Sequence, residues 1–248
     1  MSVVTIGSLN LHGGMTRAGR PFGVAEAIGR LPADIVAVQE NWWRRDGADE
    51  VEKAARDCGA ELIRVPVLTG ISLADLGITP NPEPGSWGIA VLSRLPVTGY
   101  ETVDLGQAPR DEVRRIALVC SVTAPGGWPL RLVCTHLTHK LTSPVQLRRL
   151  ARHLAAARPT PTVIAGDLNM PRPATWVAAG FAPTVRGATW PAHRPLVQID
   201  HLLAGAGVEC CAGRVLPPVG SDHLPVLGQF GRRRGPARAR GPARRRGR

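Results

Sequence analysis

Three short strings in the second half of the chain combine carboxylate, amide and imidazole groups. They are Gly166-Asp167-Leu168-Asn169, Ile199-Asp200-His201 and Ser221-Asp222-His223. Each follows an apolar, strand-like run, so we expect its polar groups where a strand ends. Carboxylates and imidazoles are costly to bring together unless a cation or a reacting anion compensates them. The strings therefore predict one assembled site, typical of a hydrolase that cleaves phosphate esters with a divalent metal.

Three further polar residues, Asn10, Glu40 and His136, end strand-like runs nearer the N-terminus. Taken singly, each also has a structural interpretation: a turn residue at Asn10, a solvated strand end at Glu40 and a core histidine at His136. Asp167 and Asn169 are two residues apart, so an extended backbone projects both to one side. The joint occurrence of these residues favours a shared site over the separate explanations.

The chemistry of phosphate esters calls for such a combination of groups. A phosphodiester anion repels hydroxide, so the site needs a cation and donors aimed at the non-bridging oxygens. A nearby carboxylate must handle the proton of the attacking water. An Asp–His pair keeps an imidazole oriented and favours its charged form.

The motifs and their order resemble those of the endonuclease/exonuclease/phosphatase superfamily, whose fold is that of DNase I-like nucleases. The matching segments span about residues 3–230; they are residues 8–10, 38–40, 88–96, 115, 135–137, 166–169, 199–201 and 221–225. The resemblance implies an α/β fold, a four-layer sandwich of two mixed β-sheets flanked by helices. It also implies a catalytic domain over residues 1–231.

The resemblance implies metal and phosphate ligands. Glu40, with Asn10 and Asp222 near it, would hold a Mg2+ or Mn2+ ion, and hard oxygen ligands suit those cations. Arg115 and His136 would contact the phosphate. In DNase I-like nucleases the histidine that matches His136 has an acidic partner, but residues 85–90 contain no acid, which favours phosphate contact over a general-acid role.

The remaining catalytic roles also come from the resemblance. Asp167 would orient or deprotonate the attacking water, and Asn169 would hold the phosphate and that water. His223, held by Asp200, would face the phosphoryl oxygens and stabilise the charge that develops there. Together with His136, these residues form the predicted catalytic set.

Several other polar and aromatic residues are interpreted as structural. Arg115 could instead pair with Asp111 or Glu112 at the surface. His201 should point away from the side of Asp200 and serve the fold. The other histidines, His12, His139, His153 and His193, have no distinguishing context, and Trp42 and Trp43 are expected to pack.

Strand-like and helical patterns alternate along the chain and supply the elements that must position the site. The spacing of apolar residues predicts strands over residues 3–11, 34–40, 89–95, 116–122, 130–136 and 162–166, and helices over residues 22–31, 49–58 and from Ser143 to before Pro159. Residues 125–127 suggest a hairpin. Residues 66–87 lack periodicity, which predicts a long loop, either a substrate rim or a floppy insertion.

The charge of the chain is concentrated at one end. The formal net charge is +12, but residues 232–248 hold nine arginines and no acid, so the rest carries only +3. This tail is predicted to be disordered. The first substrate prediction is a phosphodiester such as DNA or RNA; a lipid-headgroup or inositol-type phosphate is the alternative. A non-catalytic module that binds polyanions through the tail is the alternative from another class.

The cysteines and the apolar runs bear on location. The five cysteines have no metal-type spacing, which favours reduced thiols. No apolar run approaches about 18 residues, so no membrane insertion is predicted. The N-terminus lacks the features of a signal peptide. We therefore expect a cytoplasmic, monomeric protein.

Overall fold

The computed structural model of the chain describes residues 2–44, 49–109, 111, 113–139 and 141–233. The strands are β1 (Val3–Asn10), β2 (Ile35–Arg44), β3 (Glu61–Ser72), β4 (Pro84–Ser93), β5 (Val97–Gln107), β6 (Arg114–Ala124), β7 (Trp128–His136), β8 (Thr162–Asp167), β9 (Ala182–Pro183), β10 (Asp200–Ala204), β11 (Val208–Val215) and β12 (Val226–Arg232). The helices are α1 (Val24–Gly29), α2 (Glu50–Cys58) and α3 (Ser143–Ala156), with short 3-10 helices at His12–Gly14 and Arg172–Val177.

The strands form two mixed six-stranded sheets. The first sheet has the order β11-β12-β1-β2-β4-β3, and the second has the order β5-β6-β7-β8-β10-β9. Each sheet has one parallel pair at its centre, β1 with β2 and β7 with β8. The other pairings are antiparallel. Each parallel pair brings two strand C-termini to the same edge of its sheet.

Three apolar clusters separate the layers. Side chains of both sheets, such as Ile6, Ile89, Leu132 and Val163, form the central cluster. A second cluster packs α1 and α2 on the outer face of the first sheet, and a third packs α3 on the outer face of the second sheet. The predicted four-layer α/β sandwich is therefore confirmed.

The helices begin and end largely as predicted. The Asp49 carboxylate accepts from the backbone amides of Val51 and Glu52, and Gly59 ends α2 in the left-handed conformation. Helix α3 starts at Ser143 with Thr142 as its N-cap, so Ser143 is not the capping residue. Helix α1 is shorter than residues 22–31 because the Phe22 amide donates to Gly14 O and belongs to the preceding turn.

The prediction of a long loop over residues 66–87 is wrong. Strand β3 extends to Ser72 and pairs with β4, which begins at Pro84, so only residues 73–83 connect them. The pairing has irregularities between Pro66 and Leu68 and between Thr69 and Ile71. An extra residue at a bulge shifts the alternation of side chains between the two faces of the strand. The two-residue period of apolar residues is therefore not visible in the sequence. Strand β3 lies at the sheet edge, where proline is tolerated.

All three polar strings are predicted to come at the end of a strand, and two of them do not. Asp200 begins β10, and Asp222 lies in the connection between β11 and β12. Strand β12 includes Arg232, and the Arg233 amide donates to Gly207 O, so ordered backbone continues past the predicted boundary at residue 231. The remainder of the predicted tail lies outside the described residues. Within the described ranges, none of the helices has the length and apolar character needed to span a bilayer.

Candidate active site

The predicted site residues converge on one cleft of about 550 Å3. Glu40, Arg115, His136, Asp167, Asn169, Asp222 and His223 line it. Asn10 and Asp200 lie directly behind this lining and are fully buried. Sequence reasoning therefore located the set, and the structure adds how each member is held.

Strand register explains why three of these residues lie side by side. His136 is opposite Asp167 in the parallel pair β7–β8. Asp200 is opposite Asp167 in the antiparallel pair β8–β10. Gly166 precedes Asp167 because a Cβ at this position would lie 1.9 Å from Thr135 O. The close approach of β7 and β8 thus requires glycine before the central carboxylate.

Asn10 connects the two sheets at the floor of the cleft. Its side-chain amide donates to Glu40 Oε1 at 3.0 Å and to Asp167 Oδ2 at 3.1 Å. Its Oδ1 accepts from the His12 backbone amide at 3.0 Å. Because Glu40 belongs to the first sheet and Asp167 to the second, one amide group holds the two carboxylates in fixed relation.

The sequence predicts Glu40 at the end of its strand, but β2 continues to Arg44. The pairing of β2 with β4 is interrupted between Val38 and Asn41, and Glu40 has a φ of 51° there. Such a bulge re-aims a side chain. Burial alone would raise the pKa of Glu40, but the contact with His12, the charge of His136 and the hydrogen bond from Asn10 lower it to about 2. Glu40 is therefore a carboxylate.

Asp200 and His223 form a buried ion pair. His223 Nδ1 lies 2.9 Å from Asp200 Oδ2, and Nε2 lies 3.9 Å from Asp167 Oδ2. Burial alone would lower the pKa of His223, but the charge and hydrogen bond of Asp200 outweigh it and raise that pKa to about 10. The ring is consequently an imidazolium, held by Asp200 on one side and directed to Asp167 on the other.

Asp167 and Asn169 are fixed by short-range hydrogen bonds. The Asn169 backbone amide donates to Asp167 Oδ1 at 2.9 Å. Its side-chain amide donates to Leu137 O at 2.9 Å and lies 3.1 Å from His136 Nε2. Burial, followed by the charge of Asp200, raises the pKa of Asp167 well above its ordinary value. A carboxylate with a raised pKa is a stronger base, as proton abstraction from water requires.

His136 lies beside an aromatic ring as well as two carboxylates, with Nε2 3.7 Å from Glu40 Oε1 and 3.6 Å from Asp167 Oδ2. The ring centroids of His136 and Trp87 are 5.6 Å apart. Burial, reinforced by the charge of Arg115, lowers the pKa of His136 to about 3, so this imidazole is neutral. With Nε2 accepting from Asn169, the proton resides on Nδ1, which has no hydrogen-bond partner among the described residues.

Arg115 is buried beside the same tryptophan. Its guanidinium carbon lies 5.7 Å from the Trp87 ring centroid. Its Nη2 lies 3.8 Å from Asp111 Oδ2, and both side chains are buried. The predicted alternative of a pair at the surface is therefore corrected. Nε and Nη1 of Arg115 are buried without a hydrogen-bond partner in the described part of the chain, so two donors remain for an anion.

Asp222 and His12 close the opposite side of the cleft. Asp222 Oδ2 accepts from Trp190 Nε1 at 3.2 Å, whereas Oδ1 is buried and lacks a hydrogen-bond partner within the described ranges. His12 Nδ1 lies 3.7 Å from both Glu40 Oε2 and Asp222 Oδ1. The contact with the Glu40 carboxylate is the main reason that the pKa of His12 is raised.

His12 and Trp190 are two of the lining residues that sequence reasoning missed. His12 had been interpreted as ordinary, although it follows Asn10 by two residues and precedes two glycines. Gly13 and Gly14 both have positive φ and turn the chain back over the site. Trp190 gives no pattern in sequence because it lies outside any strand or helix. The position of His12 after Asn10 was thus the one available signal.

The structural interpretation of the remaining residues mostly holds. His201 is buried, with Nε2 2.9 Å from Met170 O, as predicted. Trp42 Nε1 donates to Ile71 O, and Trp43 lies under the Arg64 guanidinium, so both tryptophans pack. His139, by contrast, is exposed at the rim of the cleft.

The donors present fit a hard divalent cation. Glu40 and Asp222 supply carboxylate oxygens, and the partnerless Asp222 Oδ1 faces the imidazole that lies between the two acids. Two compact groups of potential ligand atoms also exist, Glu40–His136–Asp167 and Asp167–Asp200–His223. Both Asp200 oxygens face His223 Nδ1, so the second group is an ion-paired chain rather than a cation site. Oxygen donors of this kind suit Mg2+ or Mn2+.

The protein is an α/β sandwich of two packed sheets, with a carboxylate-rich cleft at the edge of the sheets. Residues 7–223 match the Endonuclease/Exonuclease/phosphatase family, and the chain belongs to that family. Members of this superfamily are metal-dependent phosphoesterases. A search of curated proteins gave no match.

Solved structures share the fold at low sequence identity. An endonuclease/exonuclease/phosphatase from Beutenbergia cavernae is similar with a TM-score of 0.74 and 22% identity, over 94% of this chain and 72% of that one. The human Nocturnin catalytic domain with bound sulfate anion has a TM-score of 0.69 and 16% identity, over 94% of both chains. A mannosyl-6-phosphatase from Bacteroides thetaiotaomicron has a TM-score of 0.66 and 14% identity, over 92% and 99%.

Proposed function

We propose that this protein is a hydrolase that uses Mg2+ or Mn2+ to cleave phosphate esters by in-line attack of water. The observation that carries the proposal is a pair of buried groups without partners in one cleft. Among the described residues, Asp222 Oδ1 has no hydrogen-bond donor, while Nε and Nη1 of Arg115 have no hydrogen-bond acceptor. A buried carboxylate oxygen and a buried guanidinium each call for a counter-charge. A cation and a phosphate provide both.

The metal would be held by Glu40 and Asp222. Asn10 would contribute its side-chain oxygen, which requires the amide to rotate and release its present bonds to Glu40 and Asp167. When bound, the ion supplies charge neutralisation and polarisation of a phosphoryl oxygen.

Asp167 is the proposed acceptor of the water's proton. Its raised pKa makes it a competent base, and the Asn169 backbone amide fixes its Oδ1. Asn169 lines the cleft and would also donate to the phosphate, which requires its side-chain amide to release Leu137 O or His136 Nε2. His223, charged through Asp200, would donate from Nε2 to the phosphoryl oxygens where negative charge develops.

His136 and Arg115 complete the proposed phosphate site. His136 is neutral and its Nε2 accepts from Asn169, so it contributes contact and position rather than a proton. Arg115, buried and charged, would donate to non-bridging oxygens with the two groups that the protein leaves unpaired.

A polynucleotide substrate stays a prediction, supported by a second, shallower groove next to Asp222. Arg17, Arg20 and His193 line this groove, and cations along a groove are what a nucleic-acid backbone needs. The lipid-headgroup and inositol-type substrates, the non-catalytic polyanion binder, the monomeric state and the cytoplasmic location are likewise predictions.

The deciding experiment measures hydrolysis of bis(4-nitrophenyl) phosphate with added Mg2+ or Mn2+, with and without a chelator. We expect turnover with metal, loss on chelation and recovery on metal readdition. Asp167→Asn should lower kcat by about 10²–10⁴-fold, the usual contribution of a general base, without lowering Tm. Asp57→Asn, which changes an exposed acid paired with Lys53, is the matched control. Full activity in Asp167→Asn would contradict the assignment.

A further inference from the structure

We infer that the catalytic cleft selects phosphate esters that carry an apolar alcohol group, which packs on an apolar wall beside the phosphate site. This inference rests on the proposed phosphoesterase function and names its substrate class. The apolar wall consists of Leu76, Ile78, Val113, Trp190, Val197 and Ile199.

One half of the apolar wall comes from the connection between β3 and β4. Ile78 packs against the Gly13 turn, because a Cβ on Gly13 would lie 3.3 Å from Ile78 Cδ1. The connection is held by its own hydrogen bonds: the Ile78 amide donates to Leu73 O at 2.9 Å, and Ser72 Oγ bonds the Asp75 carboxylate at 2.6 Å. Leu76 and Ile78 are thus fixed beside His12 at the metal side of the cleft.

The other half of the apolar wall comes from the segment before β10, which backbone hydrogen bonds close into a loop. Trp190 and Val197 form an isolated antiparallel bridge, with the Trp190 amide donating to Val197 O at 3.0 Å and the Val197 amide to Trp190 O at 3.1 Å. Trp190 is 37% exposed and Val197 is 42% exposed. These large apolar side chains are held rigidly in water at the mouth of a polar site, which is costly unless a ligand covers them.

The charges in the cleft favour a small ester over a polynucleotide. Among its described lining residues are four carboxylates, Glu40, Asp111, Asp167 and Asp222, and one guanidinium, Arg115. A cleft that tracks a nucleic-acid backbone needs a run of Lys and Arg. This cleft can neutralise one phosphate at its floor, and the apolar wall forms one side of the surface that leads away from that point.

The test uses methyl-, butyl- and octylphosphonate as ligands, with binding measured by calorimetry in the presence of Mn2+. Complete burial of one methylene group tightens binding about fourfold. Contact on one side contributes about half of that free energy, which corresponds to roughly twofold per methylene. We therefore expect butylphosphonate to bind about eightfold more tightly than methylphosphonate. Val197→Ser and Leu76→Ser should each weaken butyl- and octylphosphonate and leave methylphosphonate unchanged.

Leu196→Ser is the matched control, since Leu196 is adjacent in sequence and 69% exposed but does not line the cleft. It should leave the series unchanged. Equal affinity across the three phosphonates would overturn the inference, as would tighter binding of an oligonucleotide than of octylphosphonate that is lost in Arg17→Ser/Arg20→Ser. Because binding is measured directly, chain-length dependence without any turnover would refute the proposed hydrolysis rather than the apolar wall.

Discussion

At the scale of single residues, the charge state of His223 depends on one neighbour. Asp200 holds its ring nitrogen at 2.9 Å and raises the pKa of a buried imidazole that would otherwise be neutral. A histidine with a raised folded-state pKa stabilises the folded state fully below its unfolded value of about 6.5. That contribution is lost as the pH rises through about 10.

Replacing Asp200 by Asn tests this dependence in the metal-free protein. We expect His223 of the wild type to remain protonated at pH 8, and the pKa of His223 to fall in Asp200→Asn because the largest charge that opposes burial is removed. Imidazole nitrogen chemical shifts measured by NMR report the protonation directly. The Tm difference between the two proteins should be largest below pH 6.5 and shrink towards pH 10. An unchanged titration of His223 would refute the coupling.

The types of the central residues could be predicted from sequence, but their environment could not. Asp167, Asp222 and His223 stand in short motifs whose composition has few structural explanations. The Trp87 ring beside His136 comes from a strand in the opposite sheet, and no local pattern encodes such a contact. The position of His12 between Glu40 and Asp222 likewise depends on two glycine turns whose direction only the fold determines.

At the scale of elements, the approach of β7 to β8 is limited by a single hydrogen atom. Gly166→Ala would place a methyl group 1.9 Å from Thr135 O, in a residue whose φ is 149°. We expect this substitution to destabilise the protein by at least about 3 kcal/mol, as backbone strain and overpacking combine. Gly29→Ala, in a helix with open space around it, should instead be neutral or stabilising by up to about 1 kcal/mol. Urea unfolding measures both.

The rate at which each cysteine is alkylated tests how deeply its strand is buried. Burial raises the pKa of Cys120 on β6 and Cys134 on β7 to about 12, and both are inaccessible. Cys211 is exposed, and Cys58 and Cys210 are half-buried. Iodoacetamide at pH 8 should therefore label Cys211 first and reach Cys120 and Cys134 only in denaturant, because the thiolate is the reactive form. Mass spectrometry of digests identifies the sites; fast native labelling of Cys134 would contradict the packing.

Helices and strands with a regular period of apolar residues could be predicted from sequence, and strands interrupted by bulges could not. Helix α2 has a cap at each end and an apolar face, so its bounds followed from sequence. Strand β3 is interrupted twice by bulges, and its pattern resembled a loop. Glu40 shows the same effect within β2: the bulge that directs its side chain to the cleft also hides the continuation of the strand.

At the scale of the whole molecule, most of the net positive charge belongs to the last 15 residues of the sequence. Residues 234–248 hold seven arginines and no acid, so their removal lowers the formal net charge from +12 to +5. We expect the shortened chain to hydrolyse bis(4-nitrophenyl) phosphate like the full chain and to bind heparin less tightly, with a weaker salt dependence. Loss of turnover in the shortened chain would instead connect this segment to catalysis.

The hydrogen bonds around Asn10 connect segments that are far apart in the chain. Asn10 bonds Asp167 through its side chain and accepts from Ser221 Oγ at 2.6 Å through its backbone carbonyl. Domains fold as their chains emerge from the ribosome, and a chain that ends before Ser221 lacks this last partner of Asn10 as well as His223. The cleft can therefore be assembled only after nearly all of the two sheets has been translated.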